Sequence, residues 1–95
     1  MDYNFPIYRN QEKGCYEATY DDFLDAMASF EFSVRFRGKD YFISSVSDFG
    51  WCVMSQEDPE HDFVCASQRE FEETATIGGV PLEEAWPEIV ILELS

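Results

Sequence analysis

The sequence predicts an α+β domain: an N-terminal helix, an antiparallel β-meander of three to four strands and two short C-terminal helices. Three observations carry this. Phe30, Phe32, Val34 and Phe36 alternate with Glu31, Ser33, Arg35 and Arg37, the period-two pattern of a half-buried strand. Phe23, Leu24, Met27 and Ala28 fall at helical spacing. Ser67 and Glu70 form an S-x-x-E capping box ahead of a second helical run. Helices that flank a run of strands, rather than alternate with them, give the α+β order.

The elements follow in turn. Residues 1–18 contain Pro6, Gly14 and several aromatics, and read as a loosely packed N-terminal arm with a short strand near 5–8. Thr19 can cap a helix over about 20–29, with Asp22 three residues on. Asp21, Asp22 and Asp25 take its outer face, and the first two favour a helix start. The alternating strand then reaches Gly38-Lys39, a Gly-X pair suited to a type II′ hairpin turn. With that two-residue loop, Arg37 opposes Asp40, Phe36 opposes Tyr41 and Val34 opposes Ile43. The apolar residues share one face, so the register is self-consistent. The stretch "SDFG" (47–50) is a second turn, "WCVM" (51–54) a third strand, and "DFVCA" (62–66) a fourth. The next helix carries Phe71 and Ala75 inward and stops at Gly78-Gly79. Pro81 opens a last helical turn with Leu82, Ala85, Trp86 and Ile89 inward, and Pro87 limits it. The closing "IVILEL" is a short strand or an extended tail.

A chain of 95 residues is sized for one domain, 1–95. Hydrophobic content of 45% and aromatic content of 17% supply a core that a disordered acidic tail lacks. Charge is the outlier: twenty acids against six bases, a net of −14. Solubility asks for a net charge of only about 2–8. The excess argues against direct binding to nucleic acid or anionic lipid and favours a basic protein partner. No run of apolar residues is long enough to span a membrane, and the N-terminus lacks a signal pattern. A cytoplasmic location is expected, with Cys15, Cys52 and Cys65 as free thiols.

Catalytic and metal chemistry find little support in the residues. His61 is the single histidine and falls in a Pro-broken polar loop, where a triad would need it oriented by a third group. No phosphate-binding glycine loop is present. Cys52, His61 and Cys65 lack the paired spacing of zinc ligands, and "EDPEHD" lacks the spacing of a calcium loop. The sequence therefore predicts no enzyme, no cofactor and no metal site.

Two acid-rich stretches remain. The loop "SQEDPEHDF" gathers Glu57, Asp58, Glu60 and Asp62, and "REFEE" adds Glu70, Glu72 and Glu73. Carboxylates on alternate strand residues recur every ~6.8 Å, and those at i, i+3 and i+4 on a helix lie about 5–6 Å apart. Phosphates along duplex DNA fall on a comparable scale. A rigid domain bearing these acids would present a phosphate-like array. The expected partner-binding residues are Glu57, Asp58, Glu60, Asp62, Glu70, Glu72 and Glu73, followed by Asp21, Asp22 and Asp25. Phe49 and Trp51, in the turn "SDFGW", are either anchors or core. Arg35, Arg37 and Lys39 hold half of the positive charge and form a solvated hairpin face or a second contact patch.

The helix 20–29, the hairpin "FRGKDYFIS", the loop "QEDPEHD" and the helix "REFEE" together resemble small acidic phage-encoded inhibitors of the anti-CRISPR type. The resemblance is one of layout and composition. It implies a non-enzymatic inhibitor that occupies the nucleic-acid groove of a Cas9-like nuclease by DNA mimicry; free strand edges leave a monomer or a homodimer open. The alternative is an immunity protein or adaptor that neutralises a cognate toxin or partner. A third reading is a structural protein with an acidic coat and no basic partner.

Overall fold

The computed structural model of the protein describes residues 7–47 and 50–94. Its strands are β1 (Tyr8–Asn10), β2 (Cys15–Glu17), β3 (Phe32–Phe36), β4 (Lys39–Ser47), β5 (Gly50–Met54), β6 (Phe63–Cys65), β7 (Thr76–Ile77), β8 (Val80–Pro81) and β9 (Val90–Leu94). Its helices are α1 (Tyr20–Ala26), α2 (Gln68–Thr74) and α3 (Leu82–Ala85). Seven strands form one antiparallel sheet in the order β1-β2-β9-β3-β4-β5-β6, and β7 pairs with β8 alone.

This overturns the expected layout. The meander is present as β3 to β6, but it is only part of a larger sheet, and the molecule is mostly antiparallel sheet with three short helices. Residues 8–17 are not a loose arm. They form a hairpin with Tyr8 opposite Glu17 and Asn10 opposite Cys15. Its turn is built by Asn10, whose Oδ1 accepts from the N–H groups of Glu12 and Lys13 at 3.1 Å each. Gly14 closes the turn at φ +67°. Strands of three residues are too short to display a period, so the hairpin leaves little trace in the hydrophobic pattern.

The closing residues are not a tail. β9 lies between β2 and β3, with Tyr16 opposite Ile91 on one side and Val34 opposite Ile91 on the other. Its register shifts between the partners of Ser33 and Val34. That bulge breaks the alternation that would mark a strand.

The β3–β4 hairpin keeps its faces but not its expected register. Phe36 opposes Lys39, Arg35 opposes Asp40, Val34 opposes Tyr41 and Phe32 opposes Ile43. The turn residues are Arg37 and Gly38, at φ +51° and +81°, the pair of positive values that a type I′ turn requires. The true pairing is shifted by two residues from the expected one. A shift of two preserves which side chains share a face, so the hydrophobic pattern cannot separate the two registers. Arg37 accepts the left-handed conformation while its guanidinium lies 4.8 Å from the Phe36 ring centre and donates to Glu88 at 3.1 and 3.2 Å.

All three helices pack into one core with the strands. Phe23, Leu24 and Met27 meet Phe32, Val34 and Ile43, with Phe71, Ile77, Leu82 and Ala85 in the same cluster. The Phe23 ring lies 4.6 Å from Trp86 and 4.9 Å from Phe32. α1 is shorter than expected, and its buried small residue is Ala26 while Ala28 is exposed. Both expected caps form: Thr19 Oγ1 accepts from Asp22 N at 3.1 Å, and Ser67 Oγ from Glu70 N at 3.2 Å. After α2 the chain makes the small β7–β8 hairpin around Gly78-Gly79 rather than a plain helix stop.

Candidate functional site

The acidic loop between β5 and β6 is fastened to the sheet by its own acids. Ser55 N donates to Asp62 Oδ1 at 3.0 Å, and Asp40 N donates to Glu57 Oε2 at 3.1 Å. Ser55 Oγ donates to the Asp40 carbonyl at 2.6 Å. Glu57 and Asp62 stay exposed while doing this, and Glu60 sits exposed in the 3₁₀ turn at 59–61.

Asp58 is different, and corrects the expectation that it faces a partner. It is buried at 9% exposure. Its Oδ2 accepts from the Tyr41 hydroxyl at 2.9 Å and its Oδ1 lies 2.8 Å from His61 Nδ1. The hydrogen bond with His61, then that with Tyr41, holds the Asp58 carboxyl below the usual carboxylate range. Burial, with help from Asp58, pushes the Tyr41 hydroxyl up to about 12. Close packing of the β7–β8 turn frames this network: a Cβ on Gly78 would meet Tyr41 Oη at 2.9 Å, and one on Gly79 would meet the His61 ring at 3.2 Å. So His61 has a third group orienting it, but its other side lies against a glycine turn. The arrangement fixes a loop.

The helix acids gather elsewhere. Glu72 and Glu73 of α2 and Glu83 and Glu84 of α3 line one cleft of about 350 Å³ with Tyr20 of α1. Burial first, then the charges of Glu83, Glu72 and Asp21, pushes the Tyr20 hydroxyl up to about 12. It stays a neutral hydrogen-bonding group among carboxylates. Arg69 is the base on α2, 3.8 Å from Glu73 and highly exposed. Among the described residues, Lys13, Arg35 and Arg37 are occupied by Glu17, Asp40 and Glu88. Glu70 is exposed in the first turn of α2, and Asp21 and Asp25 are exposed on α1, with Asp22 half-buried beside its cap.

The structure therefore separates what the sequence reading joined. The loop acids Glu57 and Asp62 line a hollow with Asp40 and Phe42, while Glu72 and Glu73 line the Tyr20 cleft. Tyr20, Glu83 and Glu84 were missed as site residues. Their signal was the "PLEEA" stretch, two acids in the first turn of a helix opened by proline. What the sequence does not carry is the β7–β8 hairpin, which returns that turn to α1 and α2. Trp51 is half-buried with its ring 5.9 Å from Phe71, so it serves the core. Phe49 lies outside the described residues.

Among the described residues no group of three or more His, Cys, Asp or Glu side chains is placed to hold a metal ion. No described helix is long and apolar enough to cross a membrane. Neither a protein-family model, nor a curated protein, nor a solved structure matches this chain.

Proposed function

We propose that the protein is a non-enzymatic binding module whose helix acids occupy a lysine- and arginine-lined groove of a nucleic-acid-binding protein. The observation that carries this is the convergence of carboxylates from three helices around Tyr20, with Arg69 as the nearby base. Side chains on packed helices hold their spacing, so little order has to be imposed on binding. Such an array competes with phosphates for the same cations, and its association is fast and salt-sensitive. The layout part of the anti-CRISPR resemblance falls with the expected fold. Acidity and size remain, and make a Cas9-like nuclease the first target to try.

The test is competition with nucleic acid. The protein is titrated into a Cas9–guide complex, a restriction endonuclease and a nucleoid protein, each carrying labelled DNA, at low and high salt. The expected result is displacement of DNA from one of them, with affinity falling steeply as salt rises. Absence of binding to all three at low salt overturns the reading. A second reading, an immunity protein or adaptor, is favoured by one observation: apolar side chains exposed on the face of the sheet opposite the helices. Charge mimicry alone does not call for them.

A further inference from the structure

A sheet covered by helices on one side ordinarily shows polar side chains on the other. Here Phe42, Val64 and Val90 are 40%, 50% and 40% exposed on that second face. Phe42 stands opposite Ser33 of β3 and Met54 of β5. The β9 bulge adds Leu92, which lines the same hollow of about 780 Å³ as Phe42, Met54 and Ser33. The row Leu92, Ser33, Phe42, Met54 crosses four neighbouring strands, about 14 Å at the usual strand spacing. A small serine in its middle deepens it.

The hollow has a charged rim on the side of the acidic loop, formed by Asp40, Glu57 and Asp62. Asp40 is answered by Arg35 at 2.8 Å. Among the described residues Glu57 and Asp62 are in no ion pair. Their partners are the backbone N–H groups of Asp40 and Ser55, which fix both carboxylates in place without neutralising them. An apolar floor beside two fixed carboxylates that no ion pair among the described residues occupies is complementary to an apolar stripe with cations along one edge.

We infer that this hollow docks a basic amphipathic segment of a partner protein, its apolar side chains on Phe42, Met54 and Leu92 and a lysine or arginine against Glu57 and Asp62. A second copy of the chain fits worse. Each copy carries a net charge of −14, and a two-fold contact through this face would bury the acidic rims of both copies in one interface. The inference rests on the reading of the protein as a binder of basic partners, and gives that partner a second point of contact away from the helix acids.

The probe is an amphipathic leucine–lysine peptide, compared by calorimetry with a glutamine–lysine peptide of equal charge at about 0.15 M salt. The expected result is at least about tenfold tighter binding of the leucine peptide, worth ~1.4 kcal/mol. Phe42→Ser and Leu92→Ser should each remove that preference. Glu57→Gln with Asp62→Asn should weaken both peptides, and Glu72→Gln with Glu83→Gln should leave the preference intact. Circular dichroism checks that each variant folds, and either serine variant decides alone if the other does not. Equal affinity of the two peptides, or a preference that survives the serine variants, overturns the inference. So does a wild-type dimer in sedimentation that Phe42→Ser dissolves, because a second copy then covers the face. Loss of the nucleic-acid competition with the preference retained would remove the proposed mimicry and leave this docking site standing.

Discussion

Asp58 accepts from Tyr41 and pairs with His61, so one of the loop acids is spent on holding the loop. Removing the Tyr41 hydroxyl takes away a hydrogen bond to a charged group, which contributes about 1.5–3 kcal/mol. Tyr41→Phe should lower stability by that amount in urea denaturation. The two shifted hydroxyls give a second prediction. Folding raises Tyr20 and Tyr41 from 10.0 to about 12, so the fold favours their neutral form. Their contribution is complete below pH 10 and is lost as pH rises through about 12. An ultraviolet titration should show two tyrosines ionising late, and Tyr41→Phe should remove one of them. Gly78 is a third residue-scale test. It sits at φ +56° with its absent Cβ 2.9 Å from Tyr41 Oη. The left-handed conformation alone costs a non-glycine residue about 1–2 kcal/mol, so Gly78→Ala should destabilise by at least that much, and the late tyrosine should shift with it.

β9 is the element on which the sheet depends, because it joins the β1–β2 hairpin to the rest. Ile91 is 2% exposed within it. Ile91→Ala should cost about 2–5 kcal/mol, and amide exchange should quicken in β2 as well as β9. A result in which β2 stays protected would mean that the hairpin is held by something other than β9. The sequence made the meander, the two helix caps and the core faces legible, because each rests on local chemistry: alternation in "FEFSVRF", Thr19 with Asp22, Ser67 with Glu70. It placed a short strand near 5–8 rather than at β1, missed β2, and offered β9 only as an alternative to a tail. The first two are too short for a period, and the bulge at Leu92 breaks the third. The β3–β4 register was hidden for another reason. Slipping Val34 from Ile43 to Tyr41 keeps both partners on the same face, and only the turn geometry at Arg37 and Gly38 decides between them. The acids were visible from the start. Their division between a loop that anchors itself and a cleft around Tyr20 depends on contacts far apart in the chain.

At the scale of the whole molecule, the charge limits stability and, on the proposed reading, directs binding. A net charge of −14 on one small domain repels itself, and salt screens that repulsion. The melting temperature should rise by several degrees between about 0.01 M and 0.15 M salt. Asp58, Asp40 and Glu88 have carboxyls held below their ordinary values by His61, Arg35 and Arg37. Their contribution is complete above about pH 5 and is lost as pH drops through their lowered values. A melting temperature that held level as pH dropped from about 5 to about 3 would contradict this. The central claim is that the helix acids, rather than the loop acids, are the nucleic-acid-like surface. The most direct measurement compares two charge-neutralised variants in the DNA-competition assay: Glu72→Gln, Glu73→Gln, Glu83→Gln and Glu84→Gln together, and Glu57→Gln, Glu60→Gln and Asp62→Asn together. The account predicts that the helix variant loses its ability to displace DNA and much of its salt dependence, while the loop variant still displaces DNA, its affinity weakened only by loss of the contact at Glu57 and Asp62. Displacement retained by the helix variant and lost by the loop variant would contradict it.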